Sequence, residues 1–264
     1  MIITAFPAAD TKKTLALDTF AKILSVALSD GKKIYYAQAD TEMKHSELVM
    51  EFIENLMKEA ALTPAALQGV LCMAGPGSFT GLRIGYSIAK GLALSLSIPF
   101  AAIPTLDCIA YQITVNNDLK PANTGSRLPT PDSSIILSLI EARKNSYFYA
   151  FYQNEKRLTP DKEADIEQIT GELMKICVSS PMCELSHYPI LTGPASCKFY
   201  EILPQDLKEK IIIKNENKGY ANELIYLAKK RNILDNDGST FLCKGPEYIR
   251  KTDAEIALFE KVDL

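Results

Sequence analysis

The order of the periodic segments in the first hundred residues narrows the possible folds more than any other property of the sequence. Alternating apolar residues predict strands, and apolar residues at helical spacing predict helices. Asp30-Gly31 lies between the second and third strand patterns, and this pair is typical of a hairpin turn. The segments therefore follow the order β-β-β-α-β-α-β. They are the strands Leu15–Asp18, Ile23–Leu28 and Lys33–Gln38, the helix Ser46–Ala60, the strand Val70–Ala74, the helix Ser78–Ser97 and the strand Phe100–Ile103.

A second set of elements begins near residue 135 and repeats the theme. Its members are the hairpin strands Ile135–Ile140 and Tyr147–Tyr152, the helix Asp165–Cys177, the strand Ile190–Thr192 and the helix Tyr220–Arg231. The first set has the order of a ribonuclease-H-like half-domain, and the second again begins with a hairpin. We therefore predict an α/β fold of two lobes related by duplication.

The same patterns predict the domain organisation. Residues 1–13 form an N-terminal extension, 14–117 the N-terminal lobe, 118–134 a connector and 135–264 the C-terminal lobe. Pro121, Pro129 and Pro131 interrupt all periodicity in the connector, as expected for a loop. The sequence is compatible with two structures for the extension, an added edge strand or a loose arm.

Composition sets limits on the function. The 264 residues are 47% hydrophobic and 23% charged, which is ordinary for a globular protein. Because 29 basic residues stand against 32 acidic ones, the chain lacks the basic field of a protein that grips nucleic acid alone. The six cysteines include no C-x-x-C pair, which favours free thiols in a reducing cytosol. No signal peptide or membrane helix is predicted, so we expect a soluble, cytoplasmic protein.

The first long helix has more apolar surface than one core requires. Its apolar residues spread over about 200° of the helical wheel, whereas a stripe of about 100° suffices for a helix on a single core. We predict that part of this surface binds a partner, while burial between the lobe's own sheet and its second helix is the alternative. The apolar residues are Leu48, Val49, Met50, Phe52, Ile53, Leu56, Met57 and Ala60.

A glycine-rich stretch joins the strand Val70–Ala74 to the second helix, a place where many proteins bind phosphate. The stretch lacks the G-K-[ST] ending of a P-loop, and Pro76 removes one N–H donor. We predict a structural elbow here, with incidental anion binding at the helix start left open. The elbow residues are Gly75, Pro76, Gly77, Ser78, Gly81 and Gly85.

Small residues continue along the second helix at a spacing of four. Such a row lets another backbone approach closely, and this contact offsets the cost of glycine inside a helix. Whether the contact is the lobe's own sheet or a neighbouring subunit is open at this point. The row consists of Gly81, Gly85, Ala89, Ala93 and Ser97.

Several motifs, taken in order, resemble the TsaB (YeaZ) family of bacterial threonylcarbamoyladenosine biosynthesis proteins. The resemblance runs from about Leu15 to about Lys251, and the stretch from Gly75 to Gly85 is its most specific part. The motifs are Ala16-Leu17-Asp18-Thr19, His45-Ser46-Glu47, the glycine-rich stretch, Glu141-Ala142-Arg143, Leu191-Thr192-Gly193-Pro194 and Pro246-Glu247-Tyr248-Ile249-Arg250.

The resemblance implies an actin-like, Hsp70-like ATPase fold in a scaffold protein that has lost catalysis. It also implies a TsaD-like catalytic paralogue as partner, a TsaE-like ATPase in the same complex, tRNA contact only through that complex, and a homodimer when alone. The complex would transfer threonylcarbamoyl to the adenosine beside the tRNA anticodon. The implied interface residues are His45, Leu48, Val49, Met50, Phe52, Ile53, Met57, Phe79, Leu82, Arg83, Tyr86 and Lys90.

The residues themselves argue against catalysis. Active members of this superfamily clamp phosphate and metal between two hairpin turns of small residues. Both turns are bulky here, and Phe20 and Lys22 replace the small residues usual in the first. We therefore regard Asp18, Glu141 and Gly193 as a vestigial nucleotide site.

Metal chemistry is not expected either. Leu106 and Ala110 stand where the catalytic paralogue carries its H-x-x-x-H metal pair, and the only histidines are His45 and His187. No metal or cofactor is predicted. The alternative function is a small-molecule kinase or ATPase of the same superfamily, which should lose activity in Asp18→Ala, whereas a scaffold should tolerate that change. A peptidase is a third hypothesis.

Overall fold

The computed structural model describes residues 2–7, 11–41, 44–115, 134–143, 145–153, 155–179, 189–214, 218–235, 245–247 and 249. Most of the predicted connector, His187 and the last fifteen residues lie outside these ranges.

The N-terminal lobe is built on a sheet, called sheet A, in the strand order β1-β4-β3-β2-β5-β6. Strands β2, β5 and β6 are parallel, and β3 is antiparallel to both β2 and β4. The strands are β1 (Ile3–Pro7), β2 (Thr14–Asp18), β3 (Ile23–Ser29), β4 (Lys33–Asp40), β5 (Gly69–Gly75) and β6 (Phe100–Pro104), and the helices are α1 (His45–Glu59), α2 (Phe79–Leu96) and α3 (Thr105–Val115).

The N-terminal extension contributes the edge strand of sheet A. Strand β1 pairs antiparallel with β4, with Ile3 opposite Ala37 and Pro7 opposite Lys33. Of the two possibilities left open by the sequence, the edge strand is therefore observed for residues 3–7.

The C-terminal lobe is built on sheet B, in the order β10-β8-β7-β11-β12. If β1 of sheet A and β9 of sheet B are set aside and the strands are numbered along the chain in each lobe, both sheets have the order third, second, first, fourth, fifth. The parallel and antiparallel pairings also correspond. The molecule is thus a duplicated ribonuclease-H-like α/β protein of the actin-like type. The elements are β7 (Ile136–Glu141), β8 (Ser146–Gln153), β9 (Lys156–Arg157), β10 (Lys162–Asp165), α4 (Ile166–Ser179), β11 (Ile190–Thr192), α5 (Ser196–Ile202), α6 (Gln205–Lys208), β12 (Ile212–Lys214) and α7 (Ala221–Lys230).

Both faces of sheet A are buried, so its strands carry apolar residues on both sides. Leu15 and Leu17 pack with α1 and α2, whereas Ala16 belongs to the core shared with α3, α7 and sheet B. Helices α4 and α5 cover the far side of sheet B. Helix α7 falls in the predicted C-terminal lobe but packs on β2, β3 and β5 of the other one. Its apolar side covers the second face of sheet A, so a division at residue 135 separates α7 from the lobe on which it packs.

Candidate functional site

Asp18 ends β2 and is fully buried, where the superfamily pattern predicts a contact with metal or phosphate. Its carboxylate accepts hydrogen bonds from the backbone N–H of Phe20 at 3.3 Å, from Ser25 Oγ at 3.1 Å and from the backbone N–H of Tyr220 at 2.7 Å. Burial raises the pKa of this carboxyl to about 7, against the opposing effect of these hydrogen bonds. Asp18 thus serves as an acceptor for the protein's own backbone.

The N-terminus of α7 occupies the space in front of Asp18. The backbone N–H of Gly219 donates to Gln38 Oε1 at 2.8 Å, and that of Ala221 donates to Ser25 Oγ at 3.1 Å. Tyr36 Oη donates to the carbonyl oxygen of Gly219 at 2.9 Å. A Cβ on Gly219 would lie 2.2 Å from Ser25, so the two segments are in direct contact. The polar side chains of the first hairpin therefore bind a helix start.

The other two residues of the predicted vestigial site have different surroundings. Glu141 at the end of β7 is exposed and pairs with Lys198 Nζ at 2.5 Å. Gly193 has a φ of +101°, and a Cβ there would lie 2.4 Å from the carbonyl oxygen of Leu139. Glu141 thus makes a surface ion pair. Position 193 requires glycine because the backbone of Leu139 lies too close for a side chain.

The elbow after β5 uses its N–H groups internally. Ser78 caps α2 by accepting from the N–H of Gly81 at 3.2 Å, and its own N–H donates to the carbonyl oxygen of Phe20 at 2.8 Å. The N–H of Leu82 donates to the carbonyl oxygen of Ser78. The Gly75–Pro76 peptide bond is cis. Three N–H groups at this helix start, those of Ser78, Gly81 and Leu82, are therefore paired within the protein.

The small residues of α2 pack on the lobe itself. A Cβ on Gly81 would lie 2.0 Å from the carbonyl oxygen of Thr19, and one on Gly85 would lie 2.6 Å from Thr19 Oγ1. A Cβ on Gly77 would lie 2.8 Å from the Cβ of Phe20. Of the two contacts left open by the sequence, the row beginning at Gly81 thus makes the one within its own lobe.

A segment near the C-terminus lies against this elbow. The backbone N–H of Glu247 donates to the carbonyl oxygen of Ala74 at 2.8 Å. Gly75 has a φ of +116°, and a Cβ there would lie 2.5 Å from the carbonyl oxygen of Glu247. Gly75 and Glu247, which are 172 positions apart in sequence, are therefore in contact, while Tyr248 and Arg250 lie outside the described residues.

The apolar side of α1 is largely covered by the lobe's own sheet and by α2, which is the alternative to partner binding that the sequence left open. Helix α1 packs on β3 and β4 and also on α2, so its wide apolar arc is buried from two directions. Met50 is 44% exposed and Leu48 is half-buried. Six implied interface residues are buried in the protein's own cores: Val49, Phe52, Ile53, Met57, Leu82 and Tyr86.

His45 is also buried, at the start of α1. Its Nε2 lies 2.7 Å from the carbonyl oxygen of Ala21, and its Nδ1 lies 3.1 Å from Thr41 Oγ1. Since a carbonyl oxygen only accepts, Nε2 carries the proton of the neutral ring. Burial lowers the pKa of His45. The His45 side chain joins the start of α1 to the first hairpin turn. Because the side chain is buried and both of its ring nitrogens are engaged, little of it is accessible to a partner.

A surface of exposed and half-buried residues remains on α2, and we call it the outer α2 face: Ile84, Ser87, Ile88, Gly91, Leu94 and Ser95. Leu94 is 63% exposed, and a Cβ on Gly91 would meet no other described atom within 4 Å. Near the helix start, Phe79 is 38% exposed and the guanidinium of Arg83 lies 3.8 Å from its ring centre. Lys90 is half-buried, with Nζ 5.7 Å from the Tyr86 ring. Ser87, Gly91 and Ser95 form a second row of small residues, a signal that the sequence analysis missed.

A buried charge cluster was also missed. Asp107 on α3 accepts from Tyr152 Oη at 2.8 Å, from Arg157 Nε at 2.9 Å and from Arg231 Nη1 at 2.6 Å. Burial alone would raise the pKa of Asp107. The guanidinium groups of Arg157 and Arg231 have the opposite effect and hold this pKa below its ordinary value. Next to Asp107, Leu106 and Ala110 are core residues. In the described part of the chain, no group of three or more His, Cys, Asp or Glu residues could hold a metal ion.

Comparisons with known proteins find similarity to TsaD and TsaB proteins. Residues 39–157 match the family model of TsaD, tRNA N6-adenosine threonylcarbamoyltransferase. The tRNA threonylcarbamoyladenosine biosynthesis protein TsaB of Bacillus subtilis is 26% identical over 251 residues, which cover 93% of this chain and 97% of that protein. The TsaB of Buchnera aphidicola subsp. Baizongia pistaciae is 25% identical over 84% of this chain and 91% of its own length.

A solved structure extends the comparison to the fold. It is a Pseudomonas aeruginosa protein described as uncharacterized and similar to peptidase YEAZ, with a TM-score of 0.71, 20% identity, and coverage of 90% of this chain and all of that one. In the described ranges, no helix has the length and apolar character needed to cross a membrane. The similarity to TsaB (YeaZ) proteins runs over most of the chain.

Proposed function

We propose that the chain is a non-catalytic scaffold subunit in tRNA threonylcarbamoyladenosine biosynthesis. The observation that carries this proposal is the contact between Asp18 and the α7 N-terminus, because the acid at the end of β2 binds the protein's own amides. The near full-length similarity to the Bacillus protein supports the pathway. The complex acts on tRNA in the cytoplasm, and tRNA is contacted through the complex.

The partner is a TsaD-like catalytic paralogue, and the outer α2 face with Met50 is the surface that fits it best. This surface combines exposed apolar side chains with an open glycine at which a second helix can approach closely. Phe79 and Arg83 extend it toward the helix start. The same surface would hold two copies together when the partner is absent. A TsaE-like ATPase joins the assembled complex.

The kinase or ATPase alternative has less support. It needs Asp18 and Glu141 to face a shared ligand, whereas Asp18 is enclosed and Glu141 pairs with Lys198 on the surface. For the peptidase hypothesis, His45 is committed to two structural hydrogen bonds. We therefore retain the scaffold as the proposed function.

Reconstitution from purified components tests the proposal. We expect the chain alone neither to hydrolyse ATP nor to modify tRNA. Together with the TsaD-like and TsaE-like subunits and a threonylcarbamoyl donor, we expect tRNA modification to require it. Steady ATP turnover by the chain alone, lost in a folded Asp18→Asn variant, would instead favour the kinase alternative.

A further inference from the structure

A cavity of about 220 Å³ lies among the described residues on the seam between the two lobes. Its apolar and aromatic walls come from α3, α7 and sheet B: Ala110, Tyr111, Leu227, Ile136 and Tyr152. Four of these side chains are buried, and Tyr111 is half-buried. Since an apolar cavity of about 150 Å³ is enough to hold benzene, an aromatic ring fits into this one.

The open side of the cavity carries charged side chains. Glu155, Lys230 and Arg231 also line the cavity, and their side chains are 39%, 48% and 40% exposed. Lys230 pairs with the carboxylate of Glu155, and its Nζ lies 5.4 Å from the ring centre of Tyr111. The cavity thus has an apolar interior and a charged rim, an arrangement that is typical of binding sites for small molecules.

Two groups at this rim retain hydrogen-bonding capacity within the described part of the chain. Arg231 donates to Asp107 through Nη1 at 2.6 Å, which uses one of the five N–H groups of its guanidinium. Glu155 accepts from Lys230, which uses one of about four acceptor positions of its carboxylate. The rim therefore offers further donors on a cation and further acceptors on an acid.

The described charges around the cavity already balance. Asp107, which also lines the cavity, is bound by Arg157 and Arg231, and Arg157 pairs with Asp161 at 2.6 Å. Together with the ion pair at the rim, these groups are three acids and three cations. A ligand with a net charge would leave one charge without a counterpart, which is costly in a partly buried site, whereas a zwitterion would preserve the balance.

We propose that this cavity binds a zwitterionic amino acid with an aromatic or large apolar side chain. The ligand carboxylate accepts from the remaining N–H groups of Arg231, and the ligand ammonium donates to Glu155. The ligand side chain fills the apolar interior, where burial of apolar surface supplies most of the binding free energy. Because the cavity is lined from α3, α7 and sheet B, the bound ligand holds the two lobes together. This proposal is independent of the scaffold function.

The experiment uses the full chain and L-phenylalanine as the probe, with calorimetry for affinity and amide NMR for location. We expect saturable binding at one site and shift changes centred on Tyr111 and Leu227. Two analogues test the charges, since 3-phenylpropionate lacks the ammonium group and 2-phenylethylamine lacks the carboxylate. Each should bind at least roughly tenfold more weakly, because a charge-assisted hydrogen bond is lost.

Matched variants test the two rim residues. Arg231→Gln and Glu155→Gln should each weaken binding of L-phenylalanine at least roughly tenfold. Lys198→Gln and Glu141→Gln are the controls, because these residues form an exposed ion pair that does not line the cavity. Both controls should bind like the wild type. All four changes replace exposed or partly exposed side chains, so the variants should fold.

Three results would overturn the proposal. One is the absence of saturable binding of L-phenylalanine, L-leucine and L-methionine by the folded wild-type chain. Another is binding of 3-phenylpropionate or 2-phenylethylamine as tight as that of L-phenylalanine. The third is unchanged binding by both rim variants. Since the TsaD-like subunit is absent from these measurements, none of these results bears on the scaffold function.

Discussion

The backbone N–H of Tyr220 lies 2.7 Å from the carboxylate of Asp18, joining residues that are 202 positions apart. Through this contact, the carboxylate of Asp18 in the first hairpin binds the start of α7, the last helix among the described residues. It also gives Asp18 a structural role, so the effect of replacing it cannot be read as a test of catalysis alone.

Asp18→Ala should destabilise the protein, contrary to the expectation that a scaffold tolerates it. The change leaves the buried N–H groups of Phe20 and Tyr220 without an acceptor, and each such loss costs about 1–3 kcal/mol. We expect a decrease of about 2 kcal/mol or more in the free energy of unfolding at pH 6, measured by urea denaturation. A variant as stable as the wild type would show that this contact contributes nothing.

The local elements of the fold were predictable, whereas contacts over long sequence separations were not. Periodicity located α1, α2 and the strands β2 to β6 to within two residues, because each contains regular apolar spacing. Strand β10 (Lys162–Asp165) was missed because its sequence, Lys-Glu-Ala-Asp, has no apolar alternation. The packing of α7 on sheet A was missed because no local pattern encodes which sheet a helix will cover.

The same reasoning explains the outcome for the partner surface. The wide apolar arc of α1 predicted an interface, but a helical wheel counts apolar residues and does not show how many elements cover them. Ile53 is such a case, because it is buried and belongs to the core that contains residues of sheet A, α1 and α2. The combined change of Met50 and Ile53 to glutamate would therefore damage the core, and a surface test needs Gly91 or Leu94 instead.

His45 should make the protein less stable in mild acid. Because burial lowers its pKa in the folded state, the unfolded chain binds more protons as the pH falls below the ordinary value of 6.5. Its contribution to stability is present above that value and is lost progressively as the pH falls below it. Urea unfolding across this range should show a smaller pH dependence in His45→Gln. Parallel profiles of the variant and the wild type would argue against a buried neutral ring.

Asp107 should matter more to stability than Arg231, the more exposed of its two arginine partners. Asp107→Ala leaves the buried hydroxyl of Tyr152 without its acceptor and leaves Arg157 with Asp161 as its carboxylate partner, which should cost about 2–3 kcal/mol. Arg231 is 40% exposed, so Arg231→Ala should cost about 1 kcal/mol or less. Thermal unfolding of the two variants side by side gives the ranking, and equal losses would contradict it.

The contact of Glu247 with the elbow is made by the backbone, and this allows a matched pair of variants. Glu247→Pro removes the N–H that donates to Ala74, whereas Glu247→Ala keeps it and removes only an exposed side chain. We expect the proline variant to lose about 1 kcal/mol in the free energy of unfolding and the alanine variant to match the wild type. If both behave alike, this hydrogen bond does not hold the segment.

Affinity for the purified TsaD-like subunit, measured by calorimetry with Gly91→Glu and Gly171→Glu, tests the scaffold account most directly. Both glycines lie inside helices with open space around them among the described residues, so neither change should unfold the chain and each should slightly favour its helix. Gly91 lies on the outer α2 face, whereas Gly171 lies on α4 of the other lobe. The account predicts wild-type binding by Gly171→Glu and at least a roughly 100-fold loss in Gly91→Glu, because an unpaired carboxylate would be buried in the interface. Unchanged binding by a folded Gly91→Glu variant would contradict it.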